Sequence, residues 1–120
     1  MAAILVVDDD EPCRDAMQMI LAREGYDVRS AADVDQALHQ LEEYPFDLVY
    51  CDYRMPGKNG LDLLAEIHRR NPNLPVCMIS AQASAEFDAT ARDLGAAGLL
   101  RKPIRRQQLL DHAIGILPHT

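Results

Sequence analysis

Three kinds of chemically useful side chain stand at the ends of short apolar runs: the carboxylates of Asp8-Asp9-Asp10 and Asp52, the hydroxyl of Ser80, and the ammonium of Lys102. Carboxylates gathered at one edge repel one another and need a cation, and an all-oxygen set suits Mg²⁺ rather than zinc. Mg²⁺ is usually held by one or two carboxylates together with phosphate oxygens, so phosphoryl chemistry follows from the ion. An aspartate can accept a phosphoryl group and form an acyl phosphate. The charge on the transferring oxygens must be neutralised, by the ion on one side and by Lys102 and the Ser80 hydroxyl on the remaining oxygens. The choice of lysine is informative, because Lys58 and Lys102 are the only lysines among 12 cationic residues.

What brings these residues together is a fivefold alternation of short apolar runs with stretches of helical periodicity. The runs at 3–7, 26–30, 47–51, 76–79 and 98–101 read as strands. The first, Ala3-Ile4-Leu5-Val6-Val7, is continuous in the manner of a strand buried on both faces of a parallel sheet. Pro12 suits the first turn of a helix with Ala16, Met17, Ile20 and Leu21 on its apolar face and Gly25 at its end. Asp33 caps a second helix, with Val34, Ala37, Leu38 and Leu41 on one stripe and Pro45 beyond it. The turn residues Met55-Pro56-Gly57-Lys58-Asn59-Gly60 lead into a third helix carrying Leu61, Leu63, Leu64, Ala65 and Ile67. Phe87, Ala91 and Leu94 mark a fourth, and Leu109, Leu110, Ala113, Ile114 and Leu117 a fifth that Pro118 stops.

Such a (βα)₅ alternation implies an α/β fold, with a parallel sheet, right-handed crossovers and helices on both faces. Sheets of this kind place their ligand site at the carboxyl ends of the strands. Asp8-Asp9-Asp10, Asp52, Ser80 and Lys102 are the residues that follow four of the runs, so they are predicted to converge.

Composition restricts the alternatives. With 120 residues, 48% hydrophobic and 26% charged, the chain reads as one folded domain over residues 1–120. A formal net charge of −7 repels phosphate backbones, and Arg69-Arg70 and Arg105-Arg106 are too short and dispersed to form a nucleic-acid footprint. No apolar run approaches the roughly 20 residues of a membrane span, and no basic leader precedes the first strand pattern, which makes the cytoplasm the expected location. Cys13, Cys51 and Cys77 lack any CxxC spacing and read as buried small hydrophobes. His39, His68, His112 and His119 show no metal-binding spacing. Lys58, in a Gly-rich turn, reads as solvated.

In combination, Ile4-Leu5-Val6-Val7-Asp8-Asp9, Asp52-Tyr53-Arg54-Met55-Pro56-Gly57 with Gly60, Ser80-Ala81, and Gly95-Ala96 leading to Lys102-Pro103 resemble the receiver domains of two-component response regulators. The resemblance spans essentially the whole chain. It implies a flavodoxin-like three-layer sandwich with strand order 2-1-3-4-5. It also implies that Asp52 is the phosphoacceptor, Asp9 a direct Mg²⁺ ligand, Asp8 a ligand acting largely through water, and the Arg54 backbone carbonyl a third protein ligand. Ser80 would be the switch hydroxyl, Lys102 the phosphoryl-binding cation, and Asp10 only a helix cap. The Lys102–Pro103 bond is implied to be cis, where sequence alone leaves both isomers open. Arg54 and Gln82 resemble the positions that tune acyl-phosphate lifetime. A sensor histidine kinase or phosphotransfer protein would be the donor, and a homodimer would form through the fourth helix, fifth strand and fifth helix. Such a domain is no enzyme beyond its own phosphorylation and autodephosphorylation.

One functional position departs from the family pattern. Three residues before the lysine, where Tyr or Phe is usual, stands Leu99, and a buried leucine cannot report the hydroxyl's position by swinging a ring. Two other functions compete. A haloacid-dehalogenase-like phosphatase would use Asp8 as nucleophile with Asp10 in a D-x-D motif, but Glu11 breaks its pattern and Asp52 would be unexplained. A receiver-shaped binding module that no longer accepts phosphate would not require the intact acidic pair, Asp52, Ser80 and Lys102.

Overall fold

The strand residues Ile4, Leu5, Val6 and Val7 are all inaccessible to solvent, which requires helices over both faces of the sheet that contains them. The computed structural model describes residues 2–55, 57–81 and 85–117. Along the chain lie β1 (Ala3–Val7), α1 (Glu11–Arg23), β2 (Asp27–Ala31), α2 (Val34–Glu43), β3 (Leu48–Asp52), α3 (Gly60–Arg70), β4 (Val76–Ser80), α4 (Ala85–Asp93), β5 (Gly98–Arg101) and α5 (Arg106–Ile116). The five strands are parallel and ordered β2-β1-β3-β4-β5, which places the carboxyl ends of β1 and β3 side by side at the centre.

Alternate residues of each strand enter two separate cores. Leu5, Val7, Val49, Cys51 and Met78 pack with α2, α3 and α4 on one face. Ile4, Val6, Tyr50, Cys77 and Ile79 pack with α1 and α5 on the other. Full burial of each aliphatic side chain contributes about 1.5–3 kcal/mol, so the central strands are the most strongly held part of the site's platform. On the α5 side Tyr50 Oη lies 2.9 Å from His112 Nδ1, and the His112 ring fills the space that a Cβ at Gly98 would need.

The boundaries refine the sequence reading in physically informative ways. The second strand is 27–31 rather than 26–30, because Ala31 pairs with Val7 while Tyr26 closes the turn by donating to Leu21. Asp52 and Ser80 belong to β3 and β4 rather than following them: Asp52 is registered with Ile79 and Ser80 with Arg101. On α5, Leu109, Leu110, Ala113 and Leu117 define the buried stripe, and Ile114 lies outside it at 43% exposure. Ala16 and Ala65 are likewise exposed on the outer faces of their helices, and Cys13 is half-buried beside the site, whereas Cys51 and Cys77 are fully inside. Pro56, Gln82, Pro118 and His119 lie outside the described residues.

Candidate functional site

Each site residue is set by the element that ends there. β1 delivers Asp8, which has no exposed surface and is held at its backbone N–H, its carbonyl and one carboxylate oxygen. Its N–H donates to the Ala31 carbonyl at 3.1 Å, and its carbonyl accepts from Arg14 Nη1 at 2.9 Å. Its Oδ1 accepts from the Asp10 N–H at 2.9 Å. That last bond corrects the expectation for Asp10. It stands at the N-cap position of α1, but its side chain makes no capping bond, because the turn is closed by the carboxylate of Asp8.

β3 delivers Asp52, 6% exposed. Immediately beyond it, the Tyr53 N–H donates to the Ile79 carbonyl at 2.9 Å, and the Tyr53 carbonyl accepts from Gly60 N–H at 2.8 Å. Gly60 is required by close approach, since a Cβ there would overlap the Asp52 carbonyl oxygen. Asn59 and Asp62 start α3 with a reciprocal capping box, the Asn59 side chain accepting from Asp62 N–H at 3.0 Å.

β5 delivers Lys102. Its backbone N–H donates to the Ser80 carbonyl at 2.9 Å, and the Lys102–Pro103 bond is cis. The ammonium reaches both acids: Nζ lies 3.1 Å from Asp52 Oδ2 and 3.0 Å from Asp8 Oδ2. The two contacts differ in quality. The first is an aligned hydrogen bond, whereas Asp8 Oδ2 is buried with no donor pointing along its lone pairs.

Among the described residues, Asp8, Asp9 and Asp52 bring carboxylate oxygens within 4.8 Å of one another, with Asp9 exposed and the other two buried. A charged, buried oxygen lacking an aligned donor, grouped with two further carboxylates, is a setting that favours a hard cation. Burial, followed by the Asp8 charge, raises the Asp52 pKa to about 6 against the opposing pull of Lys102. Burial works to lower the Lys102 pKa, but Asp8 and Asp52 outweigh it and hold the ammonium charged. The thiol of Cys13 is pushed up to about 12, first by burial and then by Asp8, so it is no nucleophile at neutral pH.

The structure thus gathers Asp8, Asp9, Asp52 and Lys102. Ser80 is buried at the end of β4 and lines a cleft of about 290 Å³ with Tyr53, Arg54 and Phe87. Arg54 also borders a second hollow with Asp9, Met55 and Asn59, so it flanks both sides of the acceptor strand's end. Asp10 is exposed and outside the acidic group, and Lys58 is exposed, 3.4 Å from Asp35. Leu99 is half-buried rather than buried, because its strand is at the sheet edge.

Three contributors were not anticipated from sequence: Arg14, which holds the Asp8 carbonyl; the Tyr53–Phe87 ring pair, with centroids 4.1 Å apart; and the Arg101–Asp88 ion pair. Arg14, four residues after Asp10 on the first turns of α1, had a positional signal. The other two link residues distant in sequence and had none.

A doubly wound parallel sheet with an acidic cluster and a lysine at its carboxyl edge defines a class of phosphoryl- and cation-handling α/β domains. Comparison narrows this class. The family model of the response regulator receiver domain matches residues 4–114, and the chain belongs to that family. The response regulator protein PilR of Pseudomonas aeruginosa is 40% identical over 100 residues, covering 83% of this chain and 22% of that protein. The transcriptional regulatory protein ZraR of Escherichia coli K12 is 40% identical over 117 residues, 98% of this chain and 26% of that protein. The crystal structure of the NtrX receiver domain from Brucella abortus superposes with a TM-score of 0.91 at 37% identity, covering 98% of this chain and 99% of that one. The chain spans about a quarter of the length of the curated relatives it matches. It is a receiver domain of the two-component type, a class that is not enzymatic in the ordinary sense. Among the described residues, no helix is long and apolar enough to cross a membrane.

Proposed function

We propose that residues 1–120 act as a single receiver unit in the cytoplasm and take a phosphoryl group from a phosphohistidine donor onto Asp52. The observation that carries this reading is the position of Lys102 Nζ, 3.1 Å from Asp52 and 3.0 Å from Asp8, beside three carboxylates within 4.8 Å of one another. Asp8, Asp9, Asp52 and the Arg54 carbonyl would hold Mg²⁺. When bound, the ion supplies charge neutralisation to phosphoryl oxygens and screens the acids from one another.

The residues of the chain do the rest. An Asp52 carboxylate oxygen forms the bond to phosphorus as the P–N bond to the donor imidazole breaks, and the departing imidazole nitrogen takes up a proton. Lys102 is already at the acceptor carboxylate and needs only a short movement to meet an equatorial oxygen. Ser80 offers its hydroxyl to another. Arg54, beside the acceptor, hinders water that would hydrolyse the acyl phosphate, and Gln82 is the second position assigned to that lifetime. The outcome is a population shift between two arrangements of the domain, with altered partner contacts or a homodimer through α4, β5 and α5.

The phosphatase alternative is less well supported, because Asp8 has no exposed surface and its Oδ1 is tied to the Asp10 N–H. Incubation with acetyl phosphate and Mg²⁺, followed by intact-mass analysis, is expected to add one phosphoryl group to the wild type and none to Asp52→Asn. Retained labelling in Asp52→Asn, with loss in Asp8→Asn, would move the nucleophile to Asp8.

A further inference from the structure

Leu99 leaves the site without the aromatic side chain that would report on Ser80, yet the structure contains an aromatic couple next to the same hydroxyl. Tyr53 follows the acceptor directly, and its backbone is fixed on both sides by the bonds to Ile79 and Gly60. Its ring meets Phe87 with centroids 4.1 Å apart and planes at 40°. Phe87 is 6% exposed and lies in the first turn of α4, and both rings line the cleft beside Ser80.

The next residue of that turn makes a second tie. Asp88 Oδ2 accepts from Arg101 Nη2 at 2.6 Å. Arg101 ends β5, is registered with Ser80, and directly precedes Lys102. The pair is incomplete, since Asp88 Oδ1 and Arg101 Nη1 are buried without a hydrogen-bond partner in the protein. An ion pair with an unmatched polar atom on each side gives little net stabilisation and is readily exchanged for another arrangement. Beyond these ties α4 has little hold on the core: among its nine residues only Phe87 and Ala91 are buried. Such an element belongs to the low-stability end of the molecule, where position is decided by few contacts.

We propose that the first turn of α4 is coupled to the acceptor site through these two adjacent ties, with Phe87 on Tyr53 replacing the ring missing at position 99 and Asp88–Arg101 serving as a releasable latch. Each tie starts one residue from a group that meets the phosphoryl oxygens, Asp52 for one and Lys102 for the other. When Ser80 and Lys102 move onto the phosphoryl group, the cleft gives Phe87 room to follow. The end of β5 carries Arg101 away from its geometry with Asp88. Leu99, on the same strand face as Arg101, serves only as packing.

The inference rests on the phosphoacceptor reading above. It is tested on the ¹⁵N-labelled chain titrated with Mg²⁺ and beryllofluoride. In the wild type, amides of Asp9, Asp52, Ser80 and Lys102 shift together with those of residues 88–93. In Phe87→Leu and in Tyr53→Leu the site amides still shift and the response of 88–93 is lost, whereas Leu99→Ala keeps both. Asp88→Asn, a near-isosteric change that leaves the rings in place, moves the 88–93 signals part of the way to their final positions before beryllofluoride is added. A full α4 response in folded Phe87→Leu and Tyr53→Leu, or its loss in Leu99→Ala alone, overturns the inference while leaving phosphorylation intact. An absence of any shift at the site amides of the wild type overturns the phosphoacceptor reading and this one with it.

Discussion

At the scale of single residues the site is governed by how Asp52 is surrounded. Its pKa is raised to about 6, chiefly by burial and then by Asp8. A raised acid pKa in the folded state means that the fold favours the protonated form. The resulting stabilisation is present below the unfolded value, near pH 4, and is lost as pH rises through about 6. Asp52→Asn stays neutral throughout, and Lys102 retains Asp8 as partner. In chelator, thermal melts are therefore expected to show Asp52→Asn more stable than wild type above about pH 6, with the margin closing towards about pH 4. A margin that grows on acidification would show that Lys102, rather than burial and Asp8, dominates the carboxyl. The meeting of Asp8, Asp9, Asp52 and Lys102 was legible because each falls at the end of an apolar run. That Lys102 spans two acids was not, since the reach of a flexible side chain leaves no periodic trace.

At the scale of elements, the helix starts decide where the acceptor sits. Asn59→Ala removes one half of the capping box and is expected to cost about 1 kcal/mol while leaving acetyl phosphate labelling intact. Gly60→Ala is expected to cost more and to slow labelling, because the added Cβ presses on the Asp52 carbonyl and on Met78 Cε and tilts α3 away from β3. Urea midpoints and labelling rates measured on the two variants separate a capping effect from a displacement of the acceptor. The five strands and five helices were readable from periodicity, and so was the meeting of their ends, because a parallel sheet with right-handed crossovers leaves few other arrangements. The misplacements have local causes. Asp52 and Ser80 read as loop residues because they are polar, yet the ladder holds them in β3 and β4. Ile114 is apolar but falls off the stripe that α5 buries. The ties of α4 join residues 13 and 34 positions apart and could come only from the folded chain.

At the scale of the whole molecule, a chain of net charge −7 brings three carboxylates, Asp8, Asp9 and Asp52, together at one edge of the sheet. A divalent cation bound there as proposed would stabilise the folded domain by mass action, by about 2.7 kcal/mol at a hundredfold excess over Kd. For a domain of this size that is a rise in Tm on the order of 10 °C. Differential scanning calorimetry is expected to show this rise with Mg²⁺, its reversal by EDTA and a much smaller effect of KCl at equal ionic strength. Asp9→Asn is expected to weaken the Mg²⁺ response with little change in metal-free stability, since Asp9 is exposed. Equal responses in Asp9→Asn and wild type would place the ion elsewhere on the surface.

The Tyr50–His112 contact and the close fit of His112 against Gly98 give the molecule a mechanical asymmetry. α5 is fastened to the innermost strand layer by a side-chain hydrogen bond and by a ring that leaves no slack against β5, whereas α4 rests on buried Ala91, on Phe87 against Tyr53 and on the exchangeable Asp88–Arg101 pair. On the coupling proposed for α4, a surface built from both helices would have one wall that stays and one that travels. A partner bound across it would sense activation as a change in the spacing between those walls, and its grip on α5 would be the same in either state.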